Sequence, residues 1–117
     1  MKKGFIFALL VVLAFASVAF AAKAPIKIGY VANLTGEAAT WGVHEKNGAL
    51  IAVEEINKKG GVLGRPLEIV IYDVKAKAED AISAVRRLIL EDKVVAIGGT
   101  NFSGLNIATV PIIEQYK

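Results

Sequence analysis

The sequence predicts an α/β fold built on a parallel sheet, and three observations predict it. Strand-like and helix-like apolar patterns alternate three times between Ile26 and Tyr116, a strand leading into a helix each time. That order calls for parallel strands joined by right-handed helical crossovers. The third strand carries the most telling punctuation: Val94, Val95, Ala96 and Ile97 run straight into Gly98, Gly99, Thr100, Asn101, Phe102, Ser103 and Gly104. A buried strand ending in a glycine-rich turn and feeding a helix places the first N–H groups of that helix above the sheet. In an open α/β sheet the ligand crevice lies outside the carboxyl ends of the strands, so this turn is suited to an anionic or polar group.

Residues 1–21 read as an export signal rather than as part of the fold. Lys2 and Lys3 give a basic start, Phe5 to Ala16 contains no polar residue, and Ala19, Phe20 and Ala21 match a small-x-small cleavage pattern. The alternative is a membrane anchor, since the eighteen residues from Phe5 to Ala22 include only Ser17 as a polar side chain. The alanine-rich end favours cleavage after Ala21.

In the first strand, Ile26, Ile28 and Tyr30 alternate with Lys27 and Gly29, and Val31, Ala32 and Leu34 continue the apolar character. Thr35 and Gly36 end it. A helical period then runs from about Ala38, with Gly42, Glu45, Ala49, Ala52, Val53 and Ile56 near one face, and Gly48 and Ala49 small enough for close packing on a sheet. Gly60 and Gly61 stop that helix after Lys58 and Lys59. Gly64, Arg65 and Pro66 form a turn into the second strand, where Leu67, Ile69 and Ile71 alternate with Glu68, Val70 and Tyr72 before Asp73. Ala81, Ala84, Val85, Leu88 and Ile89 then recur at helical spacing, with Asp80 early and Arg87 late, in line with the helix dipole.

The third helix contains Pro111, which either bends it or marks a restart near Val110. The first strand is expected at the centre of the sheet, flanked by the second and the third. Three strands make a thin sheet for this architecture, so residues 22–117 read as an incomplete lobe whose third strand lacks an outer partner.

Composition narrows the partners. Removing residues 1–21 takes Lys2 and Lys3 from 14 basic side chains and leaves 12 against 11 acidic ones. The pI of 9.2 therefore owes much to the signal, and no basic run or aromatic stripe points to nucleic acid. With no cysteine, disulfides, thiol chemistry and a lipid-modified cysteine are all excluded. A soluble periplasmic location fits best.

Catalytic motifs fail when taken one at a time. Gly99 and Gly104 have P-loop spacing, but Leu105 and Asn106 stand where that motif needs Lys and Ser or Thr. Gly60, Gly61 and Gly64 join a helix to a strand, the wrong way round for a dinucleotide turn. Ser103 lacks the flanking glycines of a nucleophile elbow. The single histidine, His44, has no second metal ligand at suitable spacing, and the pairs Glu54/Glu55 and Glu79/Asp80 look like solvated faces. Neither a metal nor a cofactor is implied. Trp41 lies at the carboxyl end of the sheet, and the residues alone leave core packing and a ligand wall equally open.

Leu34, Thr35, Gly36, Trp41, Gly42, Gly48, Ala49, Ala52, Ile56, Asn57, Gly60, Gly61, Gly64, Leu67 and Asp73, followed by Ile97, Gly98, Gly99 and Ser103, together resemble the amino-terminal part of the branched-chain amino acid (leucine/isoleucine/valine-binding) periplasmic solute-binding proteins. The most specific piece is Ile56-Asn57-x-x-Gly60-Gly61-x-x-Gly64. The resemblance implies part of the three-layer, Rossmann-like first lobe of a type I periplasmic binding protein, a two-lobed receptor that closes on a solute by hinge bending. It also implies a non-enzymatic protein, monomeric when full length, that hands its ligand to the inner-membrane permease of an ABC transporter. Ser103 is implied to hydrogen-bond the ligand carboxylate and Trp41 to line the pocket, with Asn101 and Phe102 on the same loop as neighbours. Aliphatic amino acids lead among ligands, ahead of other amino acids, amides such as urea and small aromatic acids. The competing readings are a ligand-sensing receptor or regulator on the same lobe, and an exported Rossmann-like enzyme, which lacks a paired base, nucleophile or metal cluster.

Overall fold

A computed structural model describes residues 23–116; the expected export signal over residues 1–21 lies outside the described residues. The chain runs β1 (Ile26–Ala32), α1 (Ala39–Lys58), β2 (Leu67–Asp73), α2 (Ala78–Leu90), β3 (Ala96–Gly98) and α3 (Ser103–Gln115). The strand order is β2-β1-β3, with the first strand central as expected. Both pairings are parallel, Ile26 lying opposite Leu67 and Ile28 opposite Ala96.

Alternation along β1 assigns its two faces. Gly29 and Val31, with their cross-strand neighbours Val70, Tyr72 and Ile97, face α2 and α3. There Val31, Val74, Ala81, Ala84, Val85, Leu88 and Leu105 form the buried core. Leu88 rests on the bare backbone of Gly29, where an added Cβ would stand 2.8 Å from Leu88 Cδ1. The helical spacing of Ala81, Ala84, Val85 and Leu88 is thus the spacing of one buried stripe, and α2 carries Glu79 and Asp80 in its first turn and Arg87 in its last, as the dipole argument expects.

Helix α1 covers the opposite face and makes its closest approach at its beginning. A Cβ on Gly42 would be driven into the carbonyl of Asn33, 2.5 Å from its carbon. Of the expected packing face, Gly42 is buried and Glu45, Ala49 and Val53 are half-buried, whereas Ala52 and Ile56 are exposed and Gly48 has open space around it, which corrects the expectation at those three residues. The helix makes its closest backbone approach at Gly42, reaches β2 again at Asn57, and leaves much of its outer surface uncovered.

The end of α1 accounts for the most specific motif in the sequence. Asn57 Nδ2 donates to the Leu67 carbonyl at 2.8 Å, and Asn57 Oδ1 accepts the Leu67 N–H at 2.7 Å. The side chain thereby supplies the backbone pair that a neighbouring strand would offer at the start of β2. Gly60 and Gly61 hold φ of 99° and 75°, the left-handed region that turns the chain back after Lys58 and Lys59.

Two further expectations shift. β3 starts at Ala96 rather than Val94, because its ladder with β1 begins at Ile28; Val95 contributes an N–H to the Lys27 carbonyl at 2.9 Å but stays 72% exposed. Pro111 sits inside one uninterrupted helix, so the helix does not restart near Val110. Ile107, whose carbonyl loses its donor to Pro111, lies on a solvent-exposed side where water can take the donor's place.

Candidate functional site

Three loops meet at the carboxyl ends of the strands: residues 33–38 after β1, 74–77 after β2 and 99–102 after β3. At their junction lies Asn33, fully buried. Its Oδ1 accepts the Ala76 N–H at 2.7 Å, and its Nδ2 donates to Thr100 Oγ1 at 3.4 Å. A buried amide needs partners on both ends, and here one side chain finds them in two different loops.

Asp73, the last residue of β2, acts from the outer side. Its Oδ1 accepts the N–H of Leu34 at 2.8 Å and of Lys75 at 3.0 Å, and its Oδ2 accepts the Thr35 hydroxyl at 2.6 Å. Burial alone raises this carboxyl, but the hydrogen bonds from Thr35, Leu34 and Lys75 stabilise the anion more and hold it below its ordinary 3.8. The sign of the linkage follows: stability from Asp73 is complete above the ordinary carboxylate value and is lost as pH falls through the lower folded value. Chemical denaturation of native protein and Asp73→Ala should therefore show a stability gap at neutral pH that narrows as the solution is acidified below pH 3.8. A gap independent of pH would mean that the charge is not what Asp73 contributes.

The glycine-rich turn ahead of α3 is partly self-satisfied. Thr100 Oγ1 accepts the Phe102 N–H at 2.8 Å, and Asn106 Nδ2 donates to the Thr100 carbonyl at 2.7 Å. The Asn101 N–H donates to Glu45 Oε1 at 3.1 Å, while Glu45 Oε2 is buried with no partner among the described residues. Burial first, and then the charge of Glu45, push the Tyr30 hydroxyl above its ordinary 10.0. The first closed turn of α3 is made by Leu105 and Asn106 on the Phe102 carbonyl, so the N–H groups of Ser103 and Gly104 stand ahead of it.

Between the loops opens a solvent-facing cleft of about 430 Å³. Residues 35–38 and Trp41 form one wall, Lys75 and Ala76 a second, and Phe102 a third. Trp41 is 65% exposed and Phe102 38%, large apolar surfaces for side chains that no packing requirement places there. The structure therefore brings two of the four sequence-predicted residues, Trp41 and Phe102, into one cleft. Asn101 and Ser103 are exposed on the adjoining segment but do not line it. Sequence reasoning had passed over Lys75, Ala76, Asn33 and the clamp of Asp73 on Leu34 and Thr35. A polar residue closing each apolar strand run, Asn33 in one case and Asp73 in the other, was the available signal. His44 is exposed, and among the described residues no group of His, Cys, Asp or Glu is arranged to hold a metal. No helix among them is long and apolar enough to cross a membrane.

The sequence and the fold are similar to those of known proteins. A family model described as periplasmic binding protein matches residues 25–117. The Leu/Ile/Val-binding protein BraC3 of Rhizobium johnstonii is 38% identical over 102 residues, covering 86% of this chain and 28% of the relative. The leucine-, isoleucine-, valine-, threonine- and alanine-binding protein of Pseudomonas aeruginosa is 36% identical over 114 residues, 93% of this chain and 30% of the relative. Among solved structures, the branched-chain amino acid transporter substrate binding protein LivJ of Streptococcus pneumoniae, in complex with isoleucine, superposes with a TM-score of 0.76 at 36% identity, over 79% of this chain and 26% of that one. The chain thus spans under a third of the length of the relatives it matches. A family match across nearly all the described residues, on a parallel β2-β1-β3 sheet with its cleft at the carboxyl ends of the strands, makes this chain a member of the periplasmic binding protein family.

Proposed function

We propose that this chain forms part of the first lobe of a solute-binding protein that takes up a branched-chain or other aliphatic amino acid in the periplasm and delivers it to the permease of an ABC transporter. The observation that carries this reading is the cleft itself, in which exposed Trp41 and Phe102 face polar loop groups at the carboxyl ends of a parallel sheet. The names of the relatives, which specify leucine, isoleucine and valine, supply the ligand class.

The lobe holds the ligand by dividing its two halves between two kinds of surface. Ser103, at the head of α3, offers its hydroxyl, its own N–H and that of Gly104 to the carboxylate, with the helix dipole adding attraction. The Asn101 N–H is already taken by Glu45, which leaves the anion to the next residues along. Trp41 and Phe102 provide the apolar wall for an aliphatic side chain. Closure of a second lobe over this half completes the site by hinge bending. The complete protein acts as a binder rather than an enzyme, reaches the periplasm through the signal at residues 1–21, needs no cofactor and works as a monomer.

Calorimetric titration of the complete two-lobed protein with leucine, isoleucine, valine and a neutral amide analogue tests the reading. A hydrogen bond to a charged group contributes about 1.5–3 kcal/mol, so Ser103→Ala should weaken amino acid binding about tenfold or more while leaving the melting temperature of the ligand-free protein nearly unchanged. Trp41→Ala should weaken binding through the lost apolar wall. Unchanged affinities in Ser103→Ala, together with a destabilised ligand-free fold, would make the contribution of Ser103 one to the start of α3 and remove the carboxylate site from it.

A further inference from the structure

We infer that Asp73 and Asn33 are positioning residues, which lock the three cleft loops into their ligand-ready arrangement before any ligand arrives. The inference rests on the binding role proposed above and deepens it. Neither side chain lines the cleft; each acts on backbone groups that do.

The loop after β2 shows the need for such a lock. Lys75 and Ala76 hold φ of 49° and 55°, two consecutive residues with side chains in the left-handed region, and both lie on the cleft wall. Residues other than glycine keep that conformation only where their surroundings over-determine it. Here the Lys77 N–H closes the turn on the Val74 carbonyl at 2.8 Å, and two side chains hold the pair inside it: Asp73 Oδ1 accepts the Lys75 N–H at 3.0 Å and Asn33 Oδ1 the Ala76 N–H at 2.7 Å. The same two side chains fix the neighbouring walls. Asp73 holds Leu34 and Thr35 of the loop that leads to Trp41, and Asn33 reaches Thr100, whose hydroxyl in turn takes the N–H of Phe102. Residues distant in sequence, 33 to 100, are thus joined in one polar frame across the ends of all three strands. A frame that is already set removes a population penalty from binding, because the observed affinity is the intrinsic one scaled by the fraction of molecules in the competent state.

Three substitutions at Asp73 separate this role from a purely structural or a purely electrostatic one. Asp73→Asn keeps the Oδ1 acceptor for Leu34 and Lys75, and its amide nitrogen donates to the Thr35 hydroxyl in place of the bond that hydroxyl now makes. Asp73→Ala removes all three bonds. Asp73→Glu keeps the charge but moves it by one methylene. In the complete two-lobed protein, stopped-flow binding of leucine well below the melting temperature of every variant should show an association rate about tenfold lower for Asp73→Ala and Asp73→Glu. Dissociation should stay within about twofold, and Asp73→Asn should bind within about threefold of native protein. Unchanged leucine binding in Asp73→Ala, with only its melting temperature lowered, overturns the inference, as does rescue by Asp73→Glu but not by Asp73→Asn. If Asp73→Ala fails to fold, the Glu and Asn variants reach the same decision by themselves. Should the native protein bind no leucine at all, the proposed function fails separately, and amide hydrogen exchange of the ligand-free protein decides this one. Protection of the Lys75 and Ala76 N–H groups in native protein and Asp73→Asn, lost in Asp73→Glu, supports the lock; equal exchange in all of them overturns it.

Discussion

Replacing Gly42 by alanine is expected to destabilise the protein by about 3 kcal/mol and to weaken ligand binding at the same time, although the change adds a single methyl group. A Cβ at this position would meet backbone, the carbonyl carbon of Asn33 at 2.5 Å and its nitrogen at 2.8 Å. Backbone cannot swing aside as a flexible side chain can, so either α1 lifts from the sheet or the end of β1 shifts. Both movements reach the site. Trp41 is the preceding residue of the helix, and Asn33 holds Ala76 and Thr100 through its side chain. Helix propensity works in the other direction, because alanine is better than glycine by about 1 kcal/mol in a helix interior, and it offsets only part of the clash. Circular dichroism melts with leucine titration on the same samples give both readouts. A Gly42→Ala protein that melts at or above the native temperature would show that the close approach of α1 to Asn33 is not a tight contact.

Leu88→Ala should cost about 2–5 kcal/mol, the range for emptying a fully buried aliphatic site. Leu88 has no exposed surface, sits among Val85, Val74 and Val31, and rests on Gly29 at a point where the absence of a side chain makes its seat. Gly29 has no side chain and Ala81 and Ala84 are short, so this part of the wall cannot move in to fill the space left. This change differs from Gly42→Ala in what it leaves alone. Leu88 packs on the face of the sheet away from α1, so the molecules that remain folded should bind leucine with nearly native affinity. Urea denaturation measures the first effect and titration at low denaturant the second. A loss below about 1 kcal/mol would mean that the site collapses after truncation, and so that the core is softer than its burial implies.

These two positions were unequally visible in the sequence. Leu88 could be read as core because Ala81, Ala84, Val85 and Leu88 repeat at the helical period, and periodicity is a local property of neighbouring residues. Gly42 could not be singled out. It stood on the expected packing face, but Gly48 and Ala49 were the residues expected to allow close packing, and only the path of α1 over the end of β1 distinguishes a glycine with backbone against it from one in open space. Pro111 shows the same limit: a bend and a restart were both compatible with the sequence, and only the structure, with one helix over Ser103–Gln115, excludes the restart.

The candidate site divides along the same line. Trp41 and Phe102 could be found because they flank the loops that follow strands, and the carboxyl ends of strands in a parallel sheet are where ligands sit. Their shared cleft required the loops to be placed beside one another. The Asp73 clamp and the Asn33 bridge join residues 38 to 67 positions apart, with no spacing or period to announce them. By itself, the sequence determined the alternation of strand and helix, the parallel sheet with β1 at its centre, the buried stripe of α2 and the end of the sheet where the site lies, because each follows from short-range pattern and chain chirality. Only the tertiary structure decided which glycine α1 packs through, which residues wall the cleft and which buried polar groups hold its loops, because those depend on hydrogen bonds and contacts between segments that folding alone brings within reach.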